Sequence, residues 1–194
     1  NDRGLAQIIR LAEADPSLTS TVLSQLADKD NIPPAAIPLV LAAAHDATNA
    51  ASSLAQSVQI LLKIEHPDSY TALIAALSLL IKDRQASKIL DDTRKALFNS
   101  AKLENYVDSL AAGLTTPQTP LESQWAAQAL LHLANAKGVG TEAQHKSRLA
   151  IDKAWQADDR KATLIEAAHR SRNPYLKLIG NCFFPIQPRY ADGM

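Results

Sequence analysis

The sequence predicts an all-α fold: an α-solenoid of about five antiparallel helix pairs, followed by a short C-terminal helix and an irregular tail. Three observations predict it. Apolar segments of helix length recur at a spacing of about 35 residues, the range in which helical repeats fall. One set starts near Arg3, Pro34, Ser69, Leu103 and Thr141; a second starts near Ser17, Asn49, Gln85, Pro120 and Asp159. The two sets alternate, so the unit is a helix pair with a short turn. Composition points the same way: Gly numbers only 6 and aromatics are 5%, whereas β-sheet draws on aromatic and β-branched side chains. Finally, one helix pair cannot bury its apolar face alone, but a stack of pairs shares a continuous core.

The elements follow in order. The first pair is read as residues 3–14 and 17–29, divided at Asp15-Pro16, where proline ends one helix and can start the next. Asn31-Ile32-Pro33-Pro34 breaks the chain again, and the segment to Asp46 carries Ile37, Val40, Leu41 and Ala44 at helical spacing. From Asn49 to Glu65 the apolar face is Leu54, Val58, Leu61 and Leu62; the polar face is Ser52, Gln56, Gln59 and Lys63. After the His66-Pro67-Asp68 turn, the helix with Leu73, Ile74, Leu77, Leu80 and Ile81 is apolar over much of its circumference, which predicts a central position. The helix 85–100 turns Ile89, Leu90 and Leu97 inward and Lys88, Asp91, Asp92 and Lys95 outward. A proline-rich turn separates 103–114 from 120–136, where Trp125, Ala129 and Leu133 recur every four residues and place Trp125 in the core. Thr141-Glu142-Ala143-Gln144 reads as a capping box with Thr141 as the cap. Asp158/Asp159 opens the last full helix, Asn173-Pro174 a short terminal one, and residues 183–194 form the irregular tail after a repeat domain of residues 1–182.

Charge narrows the function. Twenty basic and 20 acidic residues balance, so no global field recruits nucleic acid or an anionic membrane. The balance is uneven along the chain: residues 1–136 carry 10 Lys/Arg against 14 Asp/Glu, and residues 137–194 carry 10 against 6. Cys182 is the single cysteine, which excludes an intrachain disulfide and any Cys-x-x-Cys-His haem attachment in this sequence. One thiol fits a reducing cytoplasm and equally a periplasmic protein without bridges. The apolar run 73–81 is too short to span a bilayer. The chain begins at Asn1, which is read as part of a longer protein or a processed form.

With its paired helices and its prolines near the start of first helices, Pro33-Pro34 and Pro38, the chain resembles a HEAT-type repeat protein over most of residues 3–170. Segments 27–30 (Ala-Asp-Lys-Asp) and 81–84 (Ile-Lys-Asp-Arg) echo that family's charged positions, although they do not reproduce them cleanly. The Ala/Leu-rich style is also similar to the helical segments of large bacterial proteins that carry a propeller-type dehydrogenase and a c-type cytochrome domain. The HEAT resemblance implies a surface-presenting protein without chemistry of its own. The second implies a structural spacer.

Chemistry-bearing patterns are few. Glu142/His145 and Glu166/His169 repeat a Glu-x-x-His spacing that puts carboxylate and imidazole on one helix face, as in carboxylate-bridged di-metal bundles. Such a bundle needs two further carboxylates from other helices, and Glu142 is already accounted for as a favourable charge in its first helical turn. No metal or cofactor is therefore expected. The sequence has no H-E-x-x-H, P-loop, dinucleotide or nucleophile-elbow motif, and Asp91-Asp92 and Asp158-Asp159 diverge by about 100° on a helix. No enzymatic activity is expected of the chain itself.

The reading that results is a non-catalytic scaffold whose second helices line a concave face for a protein partner or neighbouring domains of the same chain. The residues expected to meet that partner are Gln56, Gln59, Lys63, Lys88, Asp92, Lys95, Gln128 and His132. The alternatives are the spacer and a HEAT-like nucleic-acid-binding module using Arg160, Lys161, Arg170, Arg172 and Lys177 in the basic C-terminal third.

Overall fold

The computed structural model describes residues 2–81, 86–98, 102–136 and 140–170. Among them are ten α-helices and two 3-10 turns, with no strand. The helices are α1 (Asp2–Ala14), α2 (Thr19–Ala27), α3 (Ile37–His45), α4 (Ala51–Leu61), α5 (Ser69–Leu80), α6 (Ser87–Phe98), α7 (Leu103–Thr115), α8 (Pro120–Asn135), α9 (Thr141–Trp155) and α10 (Asp158–Arg170). The expected terminal helix after Asn173, the tail 183–194, Gln85, Cys182, Arg172 and Lys177 lie outside the described residues.

Helix starts follow local chemistry. Pro16 and Pro34 do not open α-helices directly: Pro16–Leu18 and Pro34–Ala36 form 3-10 turns that lead into α2 and α3 respectively. The Asp15 carboxylate accepts the Ser17 N–H at 3.0 Å, satisfying one of the donors that a helical start leaves orphaned. At α8 the capping box is found at Thr119-Pro120-Leu121-Glu122. Thr119 Oγ1 accepts the Glu122 N–H at 3.2 Å, and the Glu122 carboxylate accepts the Gln118 N–H at 3.0 Å. The box expected at Thr141 is not formed: Gly140 is the N-cap of α9, and the Gln144 amide donates instead to the Ala136 carbonyl.

One hydrophobic core runs through the described residues. Helix α5 buries Ala72 through Ser78 and Leu80, and it packs against α3, α4, α7 and α8, the central position its apolar circumference predicts. Odd-numbered helices contact one another in series, α1 with α3, α3 with α5, α5 with α7 and α7 with α9. Among the even-numbered helices, α2 packs on α4, α4 on α6 and α8 on α10. Helix α8 also meets α5 directly.

A ladder of cationic caps ties the even-numbered helices to later parts of the chain. Lys63 Nζ donates to the carbonyls of Ala27 and Lys29 at 2.7 and 2.8 Å, at the C-terminal end of α2. Lys102 Nζ repeats this on Leu62 and Ile64 at 3.2 and 3.3 Å, at the end of α4. Arg148 donates through Nε and Nη2 to Ala134 O at 3.3 and 3.1 Å, at the end of α8. The last carbonyls of a helix have no intrahelical partner and carry the negative end of its dipole, so a cation placed there is favoured.

Candidate partner-binding surface

The expected contact residues fall on three helices and the turn after α4. On α4, Gln59 is exposed and Gln56 half-buried; only Ser52 and Gln59 of that helix are fully exposed, because seven of its residues are buried, and Lys63 is exposed in the turn just beyond the helix. On α6, Lys88, Asp92 and Lys95 are exposed, opposite buried Thr93 and Leu97. Gln128 and His132 lie on α8 and are half-buried. Since α4 packs on α6, the structure brings Gln56, Gln59, Lys88, Asp92 and Lys95 onto adjacent helices, with Lys63 in the turn after α4, whereas Gln128 and His132 sit on the helix that packs against α7, α9, α10 and α5. Lys63 is not simply a polar surface group, since its ammonium is held by the α2 carbonyls.

Helix α8 has an uneven relation to solvent. Every residue from Leu121 to Ala134 is buried or half-buried. By contrast α9 exposes Glu142, His145, Arg148, Leu149, Asp152 and Lys153. A helix whose outward side chains are all partly shielded lies recessed between its neighbours, while one that fully exposes a stripe stands proud of them. Gln124, Trp125, Gln128 and His132 thus form a recessed strip of amides, indole and imidazole at the spacing of one helix face. The charged exception on α8 is Glu122, buried and committed to its capping box.

Trp125 is partly buried where the sequence predicts a core position. The core-facing stripe of α8 is Ala126, Ala127, Leu130 and Leu133, one step around the helix. Trp125 packs against the core from the side and donates its indole N–H to the Tyr106 hydroxyl of α7 at 3.0 Å. A half-exposed indole with a satisfied N–H suits a contact surface, being apolar on its face and fixed at its edge.

Other charged groups are engaged locally. Lys146 of α9 bridges to Asp108 at 3.0 Å and to Glu104 at 3.9 Å on α7. The hydrogen bond that the ammonium donates to Asp108, with the nearby carboxylates, holds Lys146 above the ordinary lysine range. Glu166 of the second Glu-x-x-His pair binds Arg170, and no group of three or more potential ligands gathers among the described residues. Arg160 lies 3.4 Å from Asp159, and the Lys161 ammonium stands 5.0 Å over the Trp155 ring. Among the described residues, no helix is long and apolar enough to cross a membrane.

Comparison with known proteins finds no matching family model, no matching curated protein and no matching solved structure.

Proposed function

We propose that the chain is a non-catalytic HEAT-like scaffold, an α-solenoid of about five antiparallel helix pairs whose second helices present a concave face to a protein partner or to neighbouring domains of the same chain. The observation that carries this reading is the recessed strip on α8, set against the proud stripe on α9. Two sides so different are what a curved stack of helix pairs produces, and its inner side is where repeat proteins hold partners. The cap ladder from Lys63 to α2 and from Lys102 to α4 adds support, because the same device recurs at successive second helices.

Gln59, Lys88, Asp92 and Lys95 supply polar contacts along α4 and α6, with Gln56, Gln128 and His132 deeper in the face. Lys63 frames that face through its hold on α2. The strip on α8 carries amides and an indole and no exposed charge, which suits a polypeptide better than a polyanion. The C-terminal cations favour the same choice: Arg160 and Arg170 have acidic neighbours, and Lys161 rests on Trp155. Nucleic-acid binders concentrate uncompensated basic charge instead.

Charge reversal tests the proposal. The full chain and its Lys88→Glu/Lys95→Glu variant are immobilised and exposed to an extract of the source cells. A protein retained by the wild type and lost from the variant is the expected result. Equal retention by both, together with binding to duplex DNA that collapses as salt rises, would replace the scaffold reading with the nucleic-acid one.

A further inference from the structure

Among the described residues, every helix but one packs closely on a helix next to it in the chain: α1 on α2, α3 on α4, α4 on α5, α7 on α8 and α9 on α10. The exception is α6, which packs closely on neither α5 nor α7 and rests on α4 alone. Consecutive elements are usually neighbours in space, so α6 departs from a rule that the other helices keep. Its predecessor α5 meets α8 instead.

The side chains of α6 match that light seating. Of the ten described, six are exposed and two, Ile89 and Leu90, are half-buried, which leaves Thr93 and Leu97 buried. Leu97 is thus the one buried apolar anchor among them, whereas α5 buries nine of its 12 residues. An isolated helix of 12 residues is marginal in water, so α6 keeps its form only while docked. Local opening costs least where buried apolar contacts are few. The other helices do not hang on α6, because α5 packs on α4, α7 and α8 and joins the two sides of the molecule without it.

We propose that α6 is a detachable element: it undocks from α4 and melts while the other helices stay folded, so that its part of the partner face alternates between a presented and a withdrawn state. Docking sets Lys88, Asp92 and Lys95 on a helix adjacent to that of Gln59; undocking disperses the array and brings Leu97 into solvent. This consequence for the face rests on the function proposed above, whereas the opening belongs to the free chain and is measured without a partner.

Hydrogen–deuterium exchange of the full chain, read by mass spectrometry on peptides within residues 87–98 and 69–80, measures the opening. Amides of α6 should exchange at least about 10-fold faster than those of α5, yet at least about 10-fold slower than in the unfolded chain. Leu97→Ala, which removes the anchor, should speed exchange in α6 at least about 10-fold. Val107→Ala removes buried apolar bulk from α7, on which α6 does not closely pack. It should speed exchange in α5 at least about 10-fold and leave the α6 rate unchanged, since α7 is folded in both states of α6. Equal protection of α6 and α5, or an acceleration of α6 by Val107→Ala as large as that of α5, would make α6 part of one cooperative unit and overturn the proposal. Exchange of α6 at the unfolded rate in the wild type would mean that it does not dock, and would overturn the proposal as well.

Discussion

Replacing Trp125 with alanine should destabilise the protein by about 2–4 kcal/mol. A tryptophan buries roughly 150–250 Å² on folding, and at about 25 cal/mol per Å² that burial stabilises by roughly 4–6 kcal/mol. Trp125 is only partly buried and packs against the core from one side, which trims the figure. The loss includes the bond from its indole N–H to Tyr106 Oη at 3.0 Å, worth about 1 kcal/mol. Tyr106→Phe isolates that last part, because the buried ring of Tyr106 stays while the acceptor is removed. Urea unfolding followed by circular dichroism measures both, with the slope checked for constancy so that a shifted midpoint reports stability alone. A double-mutant cycle then gives the coupling of the two side chains. Gln59→Ala, on the exposed face of α4, should stay within about 0.5 kcal/mol. If Trp125→Ala and Gln59→Ala cost the same small amount, the indole is not seated between α7 and α8 and the described face of α8 is wrong.

Lys63→Met and Lys102→Met should each lower stability by about 0.3–1 kcal/mol in urea titrations, because each uncovers helix-end carbonyls that it now caps. No effect from either would remove the cap ladder from the account. Thr119→Ala should cost about 1 kcal/mol by the same measurement through loss of the α8 N-cap. Thr141→Ala, one position inside the cap of α9, should cost clearly less. Stability should also fall at both extremes of pH. Asp15 and Asp46 are held below the usual carboxylate range by hydrogen bonds from Ser17 and Thr48, so their contribution is present at neutral pH and fades as acid takes the pH down through those lowered values. Lys146 is held above its usual range, so its contribution is present at neutral pH and fades as the pH rises through the raised value. Asp15 and Asp46 are exposed and Lys146 is only half-buried, so the changes are small, and Lys146→Met should flatten the alkaline arm of a melting-temperature profile. A profile identical to the wild type would refute the bridge to α7.

Much of the fold is legible in the sequence because helical periodicity and proline placement are local signals. Leu54, Val58 and Leu61 are buried where the period of α4 puts them, and Ser69, Leu103 and Pro120 begin helices where their local chemistry directs. Trp125 is misplaced by the same logic: the stripe 125–129–133 and the stripe 126–130–133 differ by one step, and only the position of α5 and α10 decides which faces inward. The cap of α8 was readable as Thr119-x-x-Glu122, whereas the similar pattern at Thr141 lost out when the chain entered α9 through Gly140. Lys63 was legible as a polar residue on a polar face. Its hold on carbonyls 34 and 36 positions away is a long-range contact that no periodicity reports. The recessed strip of α8 escapes sequence reasoning for the same reason, since shielding depends on which helices flank it.

Site-specific photo-crosslinking tests the central claim most directly. A photoreactive amino acid is placed in turn at Gln59, Lys88 and Gln128 on the proposed face, and at Glu142 and Lys153 on the outward stripe of α9. The scaffold account predicts that one and the same protein, or one neighbouring domain, is captured from all three positions on the face and from neither position on α9. Capture from α9 with none from α4, α6 and α8 would contradict it.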